Sequence, residues 1–290
     1  MPPEFESLVE ENETFMEDSA DTLANSFNDA APGLAAAIIR ALHPFATKDF
    51  IGKDIKDLAA ITAQVEKTVK AYLSKAQAGA LNNYLDDFDA VMKNVLEVNS
   101  LINNVDVLQN RFTGITNELK AQAKGILIGD TDLIKGIQTE IVNAVIRQES
   151  LTTLEKTLET ILRGGNGLTG LLEKHTQQYA RDLLFQANGL LNNAIGEQIK
   201  ANAYRYVGSI KPGVHKKLKT GGRSKTLTGE SRPQCKRWVK MEIIKLSELQ
   251  AEINWAFTNG SGMIPGTNTT NFVVNRGGFR CRHTAYPILI

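Results

Sequence analysis

The chain has 290 residues, of which 42% are hydrophobic and 22% are charged, as is normal for a globular protein of one or two domains. Two cysteines are too few for a disulfide-rich secreted scaffold. Residues 1–30 carry nine acidic residues and no Lys or Arg, the opposite of a secretory leader, which predicts synthesis in the cytoplasm. The best apolar run, at 33–42, is far shorter than the roughly 18 residues of a membrane span, so no span is expected.

The net charge of +1 hides a strong asymmetry between the two parts of the chain. Residues 204–290 contain 15 Lys and Arg against four Glu, a net charge of +11, so residues 1–203 carry −10. A basic segment of this kind favours an anionic partner, either a nucleic acid or an acidic protein surface. The alternative is that the two parts of the chain neutralise each other.

Residues 1–12, with two prolines and several acidic side chains, are predicted to be an acidic arm that is disordered or docks onto a partner. Residues 13–203 are predicted to form a helical assembly domain, because Ala, Leu, Lys, Glu and Gln are frequent and proline is rare. Helices are expected at about 54–75, 78–98, 131–148, 151–163 and 168–203, the fourth capped by Ser150.

A heptad pattern is the clearest periodicity in the chain. It runs through Leu101, Val105, Leu108, Phe112, Ile115 and Leu119. The pattern predicts a helix with one buried side, packed in a long bundle or hairpin whose helices can also associate between chains.

The amino-acid composition changes near residue 204, where a small α+β domain is predicted to follow the helices. Residues 211–230 are rich in Gly, Ser, Thr and Lys and are predicted to be a flexible basic insert. Helices are expected at 234–244 and at 247–257, the second opening with a Ser247–Gln250 capping box. Short strands are expected at 272–274 and 285–290. The predicted fold class is therefore mainly α, with a small α+β C-terminal domain.

Cys235, Cys281 and His283 are the most informative residues of this domain. Thiolate and imidazole are ligands that suit Zn²⁺, although a structural zinc site usually has four ligands and a fourth is not evident, unless His215 supplies it. Two other interpretations stay open: the cysteines pack as small buried side chains, or they form a disulfide outside the reducing cytoplasm. A nucleophilic Cys/His site is disfavoured because residues 204–290 contain no Asp to orient the histidine.

Six basic residues of the insert could contact phosphate groups without reading sequence. They are Lys211, Lys216, Lys217, Lys219, Arg223 and Lys225. The alternatives are a solvated loop or a contact with an acidic neighbouring subunit. The common phosphate-binding and hydrolase motifs are absent from the sequence, so the chain is not predicted to be an enzyme.

Three blocks near the C-terminus carry a resemblance to a known family. They are residues 203–209 (AYRYVGS), 231–235 (SRPQC) and 277–283 (GGFRCRH). In this order they resemble the C-terminal domain of the phage minor head proteins related to the F protein of phage Mu. The resemblance covers about 85 residues and does not extend to the helical region.

The resemblance implies a structural virion protein of a tailed phage, made in the host cytoplasm and involved in head morphogenesis. Its implied partners are the portal or capsid proteins and, in the head interior, packaged DNA. The alternative functions are a DNA-processing or toxin-like enzyme using the Cys/His residues, and a free nucleic-acid-binding protein.

Overall fold

The computed structural model describes residues 4–47, 50–51, 58–103, 110–129, 131–165, 168–211, 214–217, 223–228, 230–278 and 281–290. Over these residues the fold is mainly α-helical with a small antiparallel sheet near the C-terminus, as predicted. The helices are α1 (Glu4–Asp29), α2 (Ala31–Leu42), α3 (Leu58–Ala76), α4 (Ala78–Asn103), α5 (Asn110–Gly129), α6 (Thr131–Arg147), α7 (Leu151–Arg163), α8 (Leu171–Ile199), α9 (Pro233–Met241), α10 (Leu246–Asn259) and α11 (Phe272–Asn275). The strands are β1 (Ala46–Thr47), β2 (Phe50–Ile51), β3 (Gly164–Gly165), β4 (Leu168–Thr169), β5 (Ala203–Val207), β6 (Val214–Lys217), β7 (Arg223–Thr228), β8 (Ile243–Lys245) and β9 (Thr284–Ile288).

The helices predicted for the N-terminal region are present, and local sequence explains their ends. The Ser150 hydroxyl accepts a hydrogen bond from the Thr153 amide at 3.1 Å, which confirms Ser150 as the cap of α7. Gly164 follows with φ 83°, a backbone conformation that glycine adopts readily and that ends the helix. The buried residues of α3 recur every four positions, from Ile61 to Leu73, so one face of that helix lies in the core.

The heptad pattern is distributed over two helices. Leu101 lies on α4 and is half-buried, whereas Phe112 and Leu119 lie on α5 and are buried. Val105 and Leu108 fall outside the described residues, so the predicted continuity of the pattern stays a prediction.

One compact unit consists of residues 17–88 and 118–183. Here α2 packs against α3 and α7, and α6 packs against the same two helices. The Tyr84 hydroxyl donates a buried hydrogen bond of 2.6 Å to the Ala180 carbonyl, and Arg181 pairs with Asp21 at 2.8 Å. The unit is held mainly by apolar helix faces, with a few polar bonds that fix helix register.

The other compact unit consists of residues 1–16, 89–117 and 184–290. Its three-stranded antiparallel sheet has the order β8-β5-β9, so the central strand β5 pairs with both neighbours. The sheet and α9–α11 enclose an apolar cluster. Its members are Tyr204, Tyr206, Trp238, Ile244, Leu249, Ile253, Ala256, Met263, Phe272, Val273 and Ala285.

Of the two states predicted for the arm at residues 1–12, disorder is wrong for the described part, because the chain is helical from Glu4 onward. Phe5 and Val9 are buried, and the Phe5 ring meets Tyr286 edge-on with 5.7 Å between ring centroids. These two apolar residues, one helical turn apart, outweigh the acidic composition of the segment, since their face of the helix is covered.

Four predictions within residues 204–290 need correction. The insert contains an antiparallel hairpin of β6 and β7. Residues 272–274 belong to the helix α11 instead of a strand, and helix α9 ends at Met241 because residues 243–245 pair with β5 as strand β8. That strand runs directly into α10, which begins at Leu246 without a side-chain cap, so Ser247 is not its cap. The strand predicted near the C-terminus is confirmed as β9.

Within the described residues, no helix combines the length and the apolar character needed to cross a membrane.

Candidate metal centre

Three separate elements bring Cys235, Cys281 and His283 together. Cys235 lies in the first turn of α9. Pro233 begins this helix, where a residue without an amide hydrogen loses no helical hydrogen bond, and Arg232 before it is extended. Cys281 and His283 precede strand β9, which pairs with β5. The central strand β5 adds Tyr206, whose ring packs edge-on against Trp238 and is stacked on His283.

The polar atoms of these side chains form a compact, buried cluster. The two thiol sulfurs are 3.8 Å apart, and Cys281 Sγ is 3.6 Å from His283 Nδ1. The Tyr206 hydroxyl lies 3.4 Å from Cys281 Sγ and 3.7 Å from Cys235 Sγ. None of the four residues is more than 6% exposed, so bulk water does not compete for hydrogen bonds to these atoms.

Two glycines allow the cluster to be this tight. A Cβ atom at Gly277 would lie 2.2 Å from Cys235 Sγ and 2.9 Å from Cys281 Sγ. A Cβ atom at Gly208, whose φ is +140°, would lie 2.7 Å from the His283 ring. Any other residue at Gly277 would fill the space between the thiols, so that space exists only because this position lacks a side chain.

The two thiols have opposite electrostatic environments. Its hydrogen bond to Cys281, together with burial, raises the pKa of Cys235. Burial alone would also raise the pKa of Cys281, but hydrogen bonds from Cys235 and His283 and the charges of His283 and Arg276 lower it well below its usual value. Cys281 is therefore the first of the two to become a thiolate, the form that binds metals.

Polar contacts brace the loop that closes the cluster. The Gly277 carbonyl accepts hydrogen bonds from Arg232 Nη1 at 2.8 Å and from Gln234 Nε2 at 2.9 Å. His283 Nε2 is buried and has no hydrogen-bond partner among the described residues. The ring is thus held by its contact with Cys281 and by stacking on Tyr206.

The cluster of Cys235, Cys281 and His283 can hold a metal ion, because their ligand atoms all lie within 4.8 Å of one another. Both cysteines are free thiols, and their sulfurs are 3.8 Å apart, well beyond the roughly 2.05 Å of a disulfide bond. Buried packing of the cysteines is observed as well, so packing and metal binding are compatible interpretations of the same residues. His215, the suggested fourth ligand, lies on β6.

Five of the six basic residues lie in the described part of the chain. Lys211 is exposed, Lys216 and Lys217 lie on β6, and Arg223 and Lys225 lie on β7. Lys219 falls outside the described residues. Their proposed contact with DNA or a partner stays a prediction.

Sequence reasoning missed two participants in this region. Tyr206 lies in the first of the three sequence blocks, and an aromatic residue next to a Gly-Ser pair was the available signal. Arg276 is 4% exposed and precedes the third block, with no local pattern to mark it. Its electrostatic interaction with Cys281 depends on its place at the end of α11.

Comparison with known proteins finds no match for this chain, whether with a family model, a curated protein or a solved structure. The resemblance of the three sequence blocks to minor head proteins stays a prediction.

Proposed function

We propose that this chain is a structural, non-enzymatic component of a tailed-phage particle, a minor head protein that contacts the portal or the inner capsid surface. One observation carries the proposal: the three sequence blocks that resemble this class of protein meet at a single buried cluster. They lie far apart in the chain, yet each contributes a side chain or a glycine to the same centre.

The contacts between the blocks are specific. Gly208 of the first block allows the close approach of His283 from the third. Arg232 and Gln234 of the second block donate to the carbonyl of Gly277 in the third. Tyr206 of the first block touches a cysteine from each of the other two. Residues that resemble a family motif and also build one core support a shared module, since unrelated matches would have no reason to converge.

Zn²⁺ is the metal ion proposed for the cluster of Cys235, Cys281 and His283. Two thiolates and an imidazole form a soft donor set, which suits zinc better than calcium or magnesium, whose ligands are oxygen atoms. Such an ion would join α9 to the segment before β9, so its role would be to stabilise the C-terminal fold. Burial of all the donor atoms favours this structural role over catalysis, which requires an open coordination position.

The basic hairpin supports a contact with DNA or with an acidic protein surface. The net charge of +11 over residues 204–290 would attract phosphate groups and release bound counterions, so affinity should fall steeply as salt rises. Binding of the purified chain to duplex DNA of two unrelated sequences, measured at about 50 and 200 mM salt, tests this. Equal affinity for both sequences with a steep salt dependence is expected, and salt-insensitive binding would contradict the idea.

The test of the proposed function is a cryo-EM reconstruction of particles that contain the chain. Density for the chain at a head vertex, next to the portal, is expected. A chain that remains soluble and never associates with particles would refute the proposal. That result would favour a free DNA-binding protein or an enzyme. In that case, nuclease and transferase assays with and without Zn²⁺ or Mg²⁺ separate the two.

A further inference from the structure

The donor atoms of the cluster have the spacing of a tetrahedral zinc site. With Zn–S near 2.3 Å, and Zn–N and Zn–O both near 2.0 Å, tetrahedral geometry places two sulfurs about 3.8 Å apart and places sulfur about 3.5 Å from either nitrogen or oxygen. The observed separations are 3.8 Å between the thiols and 3.6 Å between Cys281 Sγ and His283 Nδ1. The Tyr206 oxygen is 3.4 and 3.7 Å from the two sulfurs.

We propose that Tyr206 is the fourth ligand of a Cys₂HisTyr zinc centre. The inference rests on the zinc assigned under the proposed function and names the residue that completes its coordination. Among the described residues, the cluster contains three His, Cys, Asp or Glu side chains, all within 4.8 Å of one another. Tyr206 adds an oxygen at the distance from both sulfurs that the remaining corner requires. Closing the tetrahedron requires each sulfur-to-nitrogen separation in the cluster, all of which are within 4.8 Å, to approach about 3.5 Å.

The charge of the neighbouring residues fits this ligand set. Zn²⁺ bound by two thiolates, a phenolate and a neutral imidazole carries a net charge of −1, and the protons of the thiols and the phenol leave to solvent on loading. Arg276 is 4% exposed, and in the described part of the chain no carboxylate forms an ion pair with it. A buried guanidinium without a counter-charge is strongly unfavourable.

The surroundings of Arg276 show how it is held near the centre. Its Nη1 donates to the Phe185 carbonyl, and the guanidinium carbon lies 5.6 Å from the centroid of the Phe185 ring. Its Nε atom is buried and has no hydrogen-bond partner within the described part of the chain. The residue also has φ 46° and ψ −128°, an unfavourable backbone conformation for a residue with a side chain. An anionic zinc centre that includes Cys281, whose thiolate interacts electrostatically with Arg276, supplies a counter-charge for this strained, buried cation.

The test uses the full-length chain, stripped with a chelator and titrated with Zn²⁺ and with Co²⁺ as a spectroscopic substitute. The wild type should bind one ion per chain and give sulfur-to-cobalt charge-transfer bands with the intense visible bands of four-coordinate Co²⁺. Tyr206→Phe should keep the charge-transfer bands, change the visible bands, and bind Zn²⁺ roughly tenfold or more weakly. Tyr204→Phe, which removes a hydroxyl from the same strand two residues away, should match the wild type.

A second measurement does not depend on the variant folding. Zn²⁺ added to the wild type should produce the ultraviolet difference spectrum of a tyrosinate, and this signal should persist in Tyr204→Phe. Wild-type spectra and affinity in Tyr206→Phe, without a tyrosinate signal in the wild type, would exclude Tyr206 as a ligand while leaving the zinc in place. Failure of the wild type to bind either ion would overturn the centre itself. Neither result depends on association with particles, so the proposed structural function is tested separately.

Discussion

Replacing Gly277 by Ala tests whether the space between the thiols is essential. The added Cβ would lie 2.2 Å from Cys235 Sγ and 3.1 Å from the Tyr206 hydroxyl. Favourable contacts between such atoms begin near about 3.5 Å, so the thiol would have to move by more than about 1 Å. Cys235 is buried beside Tyr206, and relief of such overpacking typically costs about 1–3 kcal/mol.

Both tryptophans, Trp238 and Trp255, lie in the unit that contains the cluster. Their fluorescence during urea unfolding therefore reports the stability of that unit. With a urea dependence of about 1–3 kcal/mol per molar, a loss of 2 kcal/mol lowers the midpoint by roughly 1 M. The same variant should lose metal binding, because the methyl group occupies the space of the ion.

Gly114→Ala is the matched control for this substitution. Gly114 is exposed on α5 in the same unit, and a Cβ there meets nothing within 4 Å. Alanine is favoured over glycine in a helix by about 0.5–1 kcal/mol, so the control should be as stable as the wild type or more so. If Gly277→Ala unfolded at the same urea concentration as this control and still bound metal, the steric argument would be wrong.

Three further predictions concern the same fold. Phe5→Ala should destabilise the chain by about 3–5 kcal/mol in urea unfolding, because Phe5 is fully buried; a change below 1 kcal/mol would restore the interpretation of an arm. Hydrogen bonds from Arg237 lower the pKa of Glu252 below its ordinary 4.5. The stability that Glu252 contributes is therefore full above pH 4.5 and falls as the pH drops through the lowered pKa. Glu252→Gln should remove this part of the acid dependence of tryptophan fluorescence, and an unchanged acid profile would contradict the role of Glu252. Ser150→Ala should cost about 1 kcal/mol through loss of the helix cap, measured by thermal unfolding, with no effect on metal content.

The sequence by itself determined the helical character of this protein and the chemistry of its candidate site. Apolar spacing, the cap at Ser150 and the glycines after α7 are local signals, and they act within one or two helical turns. The side-chain types of Cys235, Cys281 and His283 are those of soft metal ligands, although the sequence equally allowed buried packing or a disulfide.

Only the tertiary structure decided which residues meet. Phe5 is buried because it packs against Val98 of α4 and Tyr286 of β9, although the surrounding composition is acidic. Residues 243–245 are a strand because the central strand β5 offers them hydrogen bonds, which local helix propensity does not anticipate. Tyr206 reaches the thiols because β5 pairs with β9, and Arg276 interacts electrostatically with Cys281 from the end of α11. These contacts join residues that lie tens of positions apart, and such pairings depend on the packed core as a whole, which no local pattern encodes.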